Sequence, residues 1–230
     1  DLNIKIKKGS LIFIIGKVGS GKSSLLFSLL GEMKTTEGAI PELHSNPNLA
    51  FLSQTPWLLS DSIKRNIVLD LPVDTAKLDR ALRLSQLAED IKSMPGGLET
   101  SIGENGSAVS GGQRTRIALA RVIYQDPDVI IMDDPLSALD LKVADRIMKE
   151  AFCGELKDKT RIITTHAVHN IRYADYIYVM DHGRIVFEGT YDDMEHNSIY
   201  QEFREVTQSF NLEDNPAEDK PKDGDDNADG

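Results

Sequence analysis

Eight consecutive residues, Gly16-Lys17-Val18-Gly19-Ser20-Gly21-Lys22-Ser23, satisfy the pattern G-x-x-x-x-G-K-[ST]. The glycines free the backbone so that successive amide N–H groups can converge on one anion. A helix beginning after them adds the partial positive charge of its N-terminus, Lys22 adds a full charge, and the Ser23 hydroxyl offers an oxygen to Mg2+. That combination suits a polyphosphate. A glycine turn ahead of an ordinary core helix would explain neither Lys22 nor Ser23.

Two further segments carry polar groups at chemically useful places. Val129-Ile130-Ile131-Met132 is an apolar run that ends in Asp133 and Asp134. A carboxylate at the carboxyl end of a buried strand lies where open α/β sheets bind ligands, and there it could anchor Mg2+. Standing alone, the run is equally a strand followed by a turn. Ser110-Gly111-Gly112-Gln113 precedes RTRIALARVIY, in which Ile117, Ala120 and Ile123 or Tyr124 recur at helical spacing. This is either a serine-capped helix after a flexible turn or a second phosphate grip, and the residues leave both open.

The elements that must hold these groups follow from periodicity. Leu2, Ile4 and Ile6 alternate, a turn falls at Lys8-Gly9, and residues 11–15 form an apolar strand fit for the middle of a covered sheet. After the glycines, Leu25, Leu26, Leu29 and Leu30 make a helical stripe that Gly31 can cap. Residues 48–53 read as a strand, and 61–94 as mainly helical, with Asp61 or Ser62 and then Asp74 as N-caps. Strand patterns return at 129–133, 161–166, 176–181 and 184–189, with a helix between the first two, and His182-Gly183 makes the last pair a hairpin. Alternating strands and helices predict an α/β fold with a largely parallel sheet.

Composition bounds the setting. With 230 residues and 40% hydrophobic content, the chain can bury one sizeable core. The lone Cys153 forms no internal disulfide, and no leader pattern opens the sequence at Asp1, so a cytosolic setting is expected. The longest apolar runs fall far short of the roughly 18 residues of a membrane span. Of the net charge of −11, residues 211–230 carry −6: eight acids against Lys220 and Lys222. Poor in apolar residues, that stretch is expected to be a disordered linker or tail. No basic stripe with interleaved aromatics appears, which argues against nucleic-acid binding.

In their joint order, these segments resemble the nucleotide-binding domains of ABC transporters over residues 1–210. Walker A corresponds to residues 16–23, the Q-loop glutamine to Gln54, and the signature to Val109-Ser110-Gly111-Gly112-Gln113. Walker B ends at Asp133, the D-loop is Ser137-Ala138-Leu139-Asp140, and the switch histidine is His166. Gln54, Asp140 and His166 taken singly are commoner as structural residues; the order of the whole set makes the match specific. GKVGSGKSSLL, LSQTPWLLSDSIKRNI and DDPLSALD are similar to the C subfamily, the multidrug-resistance-associated group, and within it to the first of two nucleotide-binding domains.

The resemblance implies an α/β fold of the P-loop NTPase type. Its RecA-like core would span about residues 1–54 and 126–210, with a helical subdomain at about 55–125, a truncated antiparallel β portion, and the acidic 211–230 as linker. It implies ATP and Mg2+ as ligands. Its own ATP would meet Gly16, Val18, Gly19, Ser20, Gly21, Lys22, Ser23 and Ser24, and the metal would meet Ser23, Gln54 and Asp133. Lys22, Gln54, Asp134 and His166 would serve hydrolysis, an in-line attack of water on the γ-phosphate. Ser110, Gly111, Gly112 and Gln113 would contact the ATP of a second nucleotide-binding domain paired head to tail. Transmembrane domains of the same transporter would be the other partner, placing this domain at the cytoplasmic face of a membrane.

Departures from the family pattern refine the expectation. Asp134 stands where the family carries a glutamate that serves as base or water-positioner, so slow hydrolysis in an asymmetric pair is expected. Val109 replaces the usual leucine, and Thr115 lies inside the following helix; neither removes a donor. The aromatic residue that stacks on adenine would precede Asp1, so weakened nucleotide affinity is expected of residues 1–230 alone. Three other classes share part of this pattern. A nucleotide-gated channel or receptor domain of the same subfamily would bind ATP more than hydrolyse it. A soluble ABC ATPase would add a fused second domain or a coiled coil, and a P-loop small-molecule kinase would not need Ser110–Gln113 or Asp140.

Overall fold

The computed structural model describes residues 2–34, 48–104, 108–166, 169–197 and 201. The acidic stretch 211–230 lies outside them. Six strands form one sheet in the order β2-β3-β4-β1-β5-β6: β1 (Leu11–Ile15), β2 (Leu49–Leu52), β3 (Val129–Asp133), β4 (Thr160–Thr165), β5 (Tyr176–Asp181) and β6 (Arg184–Gly189). The first five in that order pair in parallel, and β6 pairs antiparallel at the edge.

Alternation along the central strands explains why both faces are covered. Leu11, Phe13 and Ile15 of β1 pack into one apolar cluster, whereas Ile12 and Ile14 pack into the other. The second cluster is closed by Leu25, Leu26 and Leu29 of helix α1 (Lys22–Leu29). The first is closed by α2 (Ile63–Val68), α3 (Thr75–Leu84), α5 (Gly111–Gln125), α6 (Leu141–Arg146) and the π-helical segment Ile147–Glu155. The short α4 (Ala88–Ser93) and α7 (Tyr191–Glu195) are the remaining α-helices among the described residues, beside 3-10 turns at Gly97–Glu99 and Ile171–Tyr173. Burial on both faces is why these strands are runs of Ile, Val, Leu and Met rather than alternating.

Local signals account for the ends. Helix α1 stops at Gly31, whose φ of 80° lets its amide reach Ser28 O and the Glu32 amide reach Phe27 O. That is the paired-bond termination a left-handed glycine permits. Ser62 caps α2 and Asp74 caps α3, each accepting from the backbone amide three residues on. His182 (φ 44°) and Gly183 (φ 74°) form the two-residue turn between β5 and β6, as the His-Gly pair predicts.

The alternation of Leu2, Ile4 and Ile6 does not yield a strand. Residues 2–7 carry no ladder; instead the Tyr178 hydroxyl accepts from the Lys5 amide and donates to its carbonyl, both at 2.9 Å. One side chain satisfies the backbone groups that a neighbouring strand would otherwise pair, while Ile4 and Ile6 still pack on the second cluster.

Candidate functional site

The topology gathers the polar residues before any side chain is considered. β2, β3, β4 and β1 are adjacent and parallel, so their carboxyl ends open on one side. Gln54 follows β2, Asp133 and Asp134 end β3, His166 follows β4, and residues 16–23 follow β1. Such an edge is where open α/β sheets place ligands.

The glycine loop turns by positive φ at Gly19 (81°) and Gly21 (102°) into the start of α1. No side chain caps that helix N-terminus. Gly16 has no room for a Cβ, which would overlap the Met180 carbonyl oxygen and lie 2.5 Å from Ser20 Oγ. The β5–β6 turn braces the loop from outside, the Gly183 amide donating to Ser20 O at 2.9 Å. Ser20 Oγ is buried without a hydrogen-bond partner, so a polar group at the loop awaits one. Val18, Ser23 and Ser24 are exposed.

Lys22 Nζ donates to Gly16 O at 2.8 Å and to Lys17 O at 2.9 Å, folding over the loop's own carbonyls. Burial pulls its ammonium below the usual lysine value, and the carboxylates of Asp134 and Asp133 partly restore it. The loop cation and the strand-end carboxylates therefore share one electrostatic site.

Asp133 and Asp134 are buried and tied to β4. The register places Asp133 opposite Thr164. Thr164 Oγ1 donates to Asp133 Oδ1 at 2.5 Å, and Thr165 Oγ1 donates to Asp134 Oδ1 at 2.8 Å. His166 Nδ1 lies 2.9 Å from Asp134 Oδ2, within ion-pair range of a protonated imidazole, yet off line, since Oδ2 has no aligned hydrogen-bond donor. Asp134 also carries a left-handed φ of 47°, a conformation aspartate tolerates better than most residues and one that clusters at working sites.

The donor set fits a hard divalent cation. Ser23 and Gln54 offer neutral oxygens from exposed positions, and Asp133 adds a buried carboxylate. No group of three or more His, Cys, Asp or Glu residues able to hold a metal occurs among the described residues. Mg2+ bound through few protein oxygens, with phosphates and water completing its shell, matches that sparse set.

The turn at residues 109–113 is built differently. Ser110 caps α5 in a capping box: its side chain accepts from the Gln113 amide at 3.1 Å, and Gln113 Oε1 accepts from the Ser110 amide at 3.0 Å. A Cβ on Gly112 would come within 3.1 Å of Ala138 O, so α5 begins against residues 138–139. Ser110 and Gly111 face outward. The contacts of Ser110 and Gln113 thus run within the turn and to α4 rather than to the glycine loop. Asp140 caps α6, accepting from the Lys142 and Val143 amides.

Several organising residues carried no sequence signal of their own. Thr164 and Thr165 belong with β4, and only the register reveals that they face the two aspartates. Arg121 moors the chain after Gln54. Its Nε donates to Asn66 O at 2.7 Å and its Nη1 to Trp57 O at 3.1 Å, while its guanidinium lies 3.9 Å from the Trp57 ring centroid. Burial brings its pKa down to about 10. A groove of 1270 Å3 lies toward the amino ends of β1 and β5, away from this chemistry.

Comparisons with known proteins bear on family and fold. A family model described as ABC transporter matches residues 1–137. "ABC transporter C family member 8" of Dictyostelium discoideum is 42% identical over 197 residues, covering 84% of this chain and 12% of that protein. "ATP-binding cassette sub-family C member 2" of Mus musculus is 41% identical over 196 residues, again covering 84% and 12%. The structure of a bacterial Atm1-family ABC exporter with ATP bound superimposes with a TM-score of 0.79 at 27% identity, covering 87% of this chain and 37% of that one. The chain therefore spans about an eighth of the length of these curated relatives. The α/β architecture is that of a P-loop NTPase. On the family match, the relatives and the fold together, the chain belongs to the ABC transporter family, as an ATP-binding domain of its C subfamily.

Proposed function

We propose that this domain binds Mg-ATP at residues 16–24, pairs head to tail with a second nucleotide-binding domain, and couples ATP use to membrane-spanning domains elsewhere in the same transporter, as the first and slower member of an asymmetric pair. In this reading residues 1–54 and 126–210 form the nucleotide-holding core, and 55–125 the helical subdomain. The domain sits at the cytoplasmic face of the membrane. Among the described residues no helix is long and apolar enough to cross one.

The observation that carries the reading is that Lys22, at the uncapped N-terminus of α1, feels the charges of Asp134 and Asp133 at the end of β3. The loop amides and α1 receive the phosphates, and Lys22 exchanges its bonds to Gly16 O and Lys17 O for phosphate oxygens. Ser23, Gln54 and Asp133 would hold Mg2+, which would supply charge neutralisation for the transferring phosphoryl group. Asp134 orients the attacking water, and His166, 2.9 Å from that carboxylate, reports on the same position.

Slow hydrolysis follows from how Asp134 is held. Its side chain is one methylene shorter than glutamate, and Thr165 draws Oδ1 back toward β4. A displacement of about 1 Å at a catalytic group costs on the order of 100-fold. The same feature suits a nucleotide-gated domain, in which binding outweighs turnover. The test is vanadate trapping of photoreactive ATP in the full-length transporter: this site is expected to bind nucleotide yet trap far less than its partner site. Equal trapping at the two sites would overturn the asymmetry.

A further inference from the structure

The signature turn is held from outside itself by a residue of α4. Gln113 has both ends of its amide occupied: Oε1 accepts from the Ser110 amide at 3.0 Å, and Nε2 donates to Asp90 Oδ1 at 2.9 Å. Asp90 is in turn gripped by Arg116, one turn further along α5, with Nη1 to Oδ2 at 2.7 Å and Nη2 to Oδ1 at 3.0 Å. Arg116 Nη1 also donates to Gln86 O at 2.6 Å. The pair is largely withdrawn from water, with side-chain exposures of 14% for Arg116 and 19% for Asp90. A bidentate, charge-assisted contact of this kind fixes geometry as well as energy.

The orientation has a chemical consequence. A carboxylate can only accept, so Asp90 compels Gln113 to turn its NH2 group toward α4 and its oxygen toward the Ser110 amide. The Ser110 hydroxyl then accepts from the Gln113 amide, which leaves its own proton to donate outward. Were Gln113 flipped, its NH2 group would face the Ser110 N–H, and the capping box would open.

We propose that Asp90, acting through Gln113 and Arg116, is a positioning residue that holds the signature turn so that the Ser110 hydroxyl and the first amides of α5 face the γ-phosphate of the second domain's ATP. Gln113 is by this account spent on positioning and does not itself touch that nucleotide. The inference rests on the head-to-tail pairing proposed above.

The experiment uses the full-length transporter carrying Asp90→Asn, Gln113→Glu, or both. Asp90→Asn sets an NH2 group against donors, and Gln113→Glu sets a carboxylate against Asp90. The double variant restores the bond between positions 90 and 113 with donor and acceptor exchanged and the net charge unchanged, while Arg116 keeps an acceptor for Nη1 and loses the one for Nη2. Each single variant is expected to lower ATP trapping at the site completed by this signature turn about tenfold, the change to which about 1.4 kcal/mol of a charge-assisted hydrogen bond converts. Nucleotide photolabelling at residues 16–24 of this domain is expected to stay within about twofold, and the double variant to recover most of the trapping. Loss at both sites together, or no recovery in the double variant, would reduce Asp90 to a folding residue and overturn the inference. Gly111→Asp is the control for the underlying reading. If it too leaves trapping unchanged, the head-to-tail pairing fails; if it abolishes trapping while Asp90→Asn has no effect, only the role of Asp90 fails.

Discussion

Lengthening the carboxylate at position 134 tests the account of hydrolysis in detail. Asp134→Glu adds one methylene and moves the carboxylate outward from β4 by roughly the 1 Å whose misplacement costs on the order of 100-fold, or about 2.7 kcal/mol. The new side chain also gives up the 2.8 Å bond from Thr165 Oγ1, worth about 1 kcal/mol, which costs folding stability while releasing the carboxylate from β4. The expected rise in turnover is on the order of 100-fold. The assay is steady-state ATP hydrolysis by the full-length transporter in a background where the second site is inactivated, with Mg-ATP binding measured in parallel. Binding should not change, because Asp134 is buried and is not among the residues proposed to receive the phosphates. Thr165→Val frees Asp134 Oδ1 without lengthening the side chain and should give a smaller rise of a few-fold. Unchanged turnover in both variants would refute the argument that reach and tethering of this carboxylate limit the reaction.

Three further outcomes follow from the geometry. Arg121→Met should destabilise the domain by about 3 kcal/mol, read as a lower denaturant midpoint, because Trp57 O and Asn66 O lose buried donors; a change below about 1 kcal/mol would contradict this. Gly16→Ala should abolish ATP photolabelling, since the added Cβ overlaps the Met180 carbonyl oxygen and crowds Ser20 Oγ. The pH dependence of ATP binding should report Lys22. Its folded pKa is lowered from 10.5, chiefly by burial, so the ammonium is lost at lower pH than from a free lysine. In the window below 10.5 the unfolded chain holds more protons at this group, and its contribution to stability rises with pH there. Mg-ATP affinity falls across the same window as the loop loses its cation, and a flat profile up to 10.5 would remove Lys22 from the phosphate site.

The sequence disclosed what is contiguous and hid what is assembled. The glycine loop, the capped start of α5 and the run ending in Asp133 each place chemistry within a few residues, so type and spacing were sufficient to locate them. The parallel sheet was legible because strands buried on both faces lose polar alternation. Thr164 and Thr165 were part of a recognised strand, but which aspartate each faces depends on the β3–β4 register, set by packing across the whole sheet. Asp90, 23 residues before Gln113, and Arg121, 55 residues after Asn66, act through tertiary contacts with no short-range trace. The alternation at Leu2, Ile4 and Ile6 misled because a period of two shows only that one face packs; whether a ladder forms depends on a neighbour, and here the Tyr178 hydroxyl takes that place.

Photoaffinity labelling of this domain by Mg-ATP in the full-length transporter, wild type against Lys22→Ala, tests directly whether residues 16–24 hold ATP. Strong labelling that excess unlabelled ATP displaces is expected, mapped to a peptide containing the glycine loop and lost in Lys22→Ala with the protein still folded. Equal labelling in the folded variant, or labelling that maps away from residues 16–24, would contradict it.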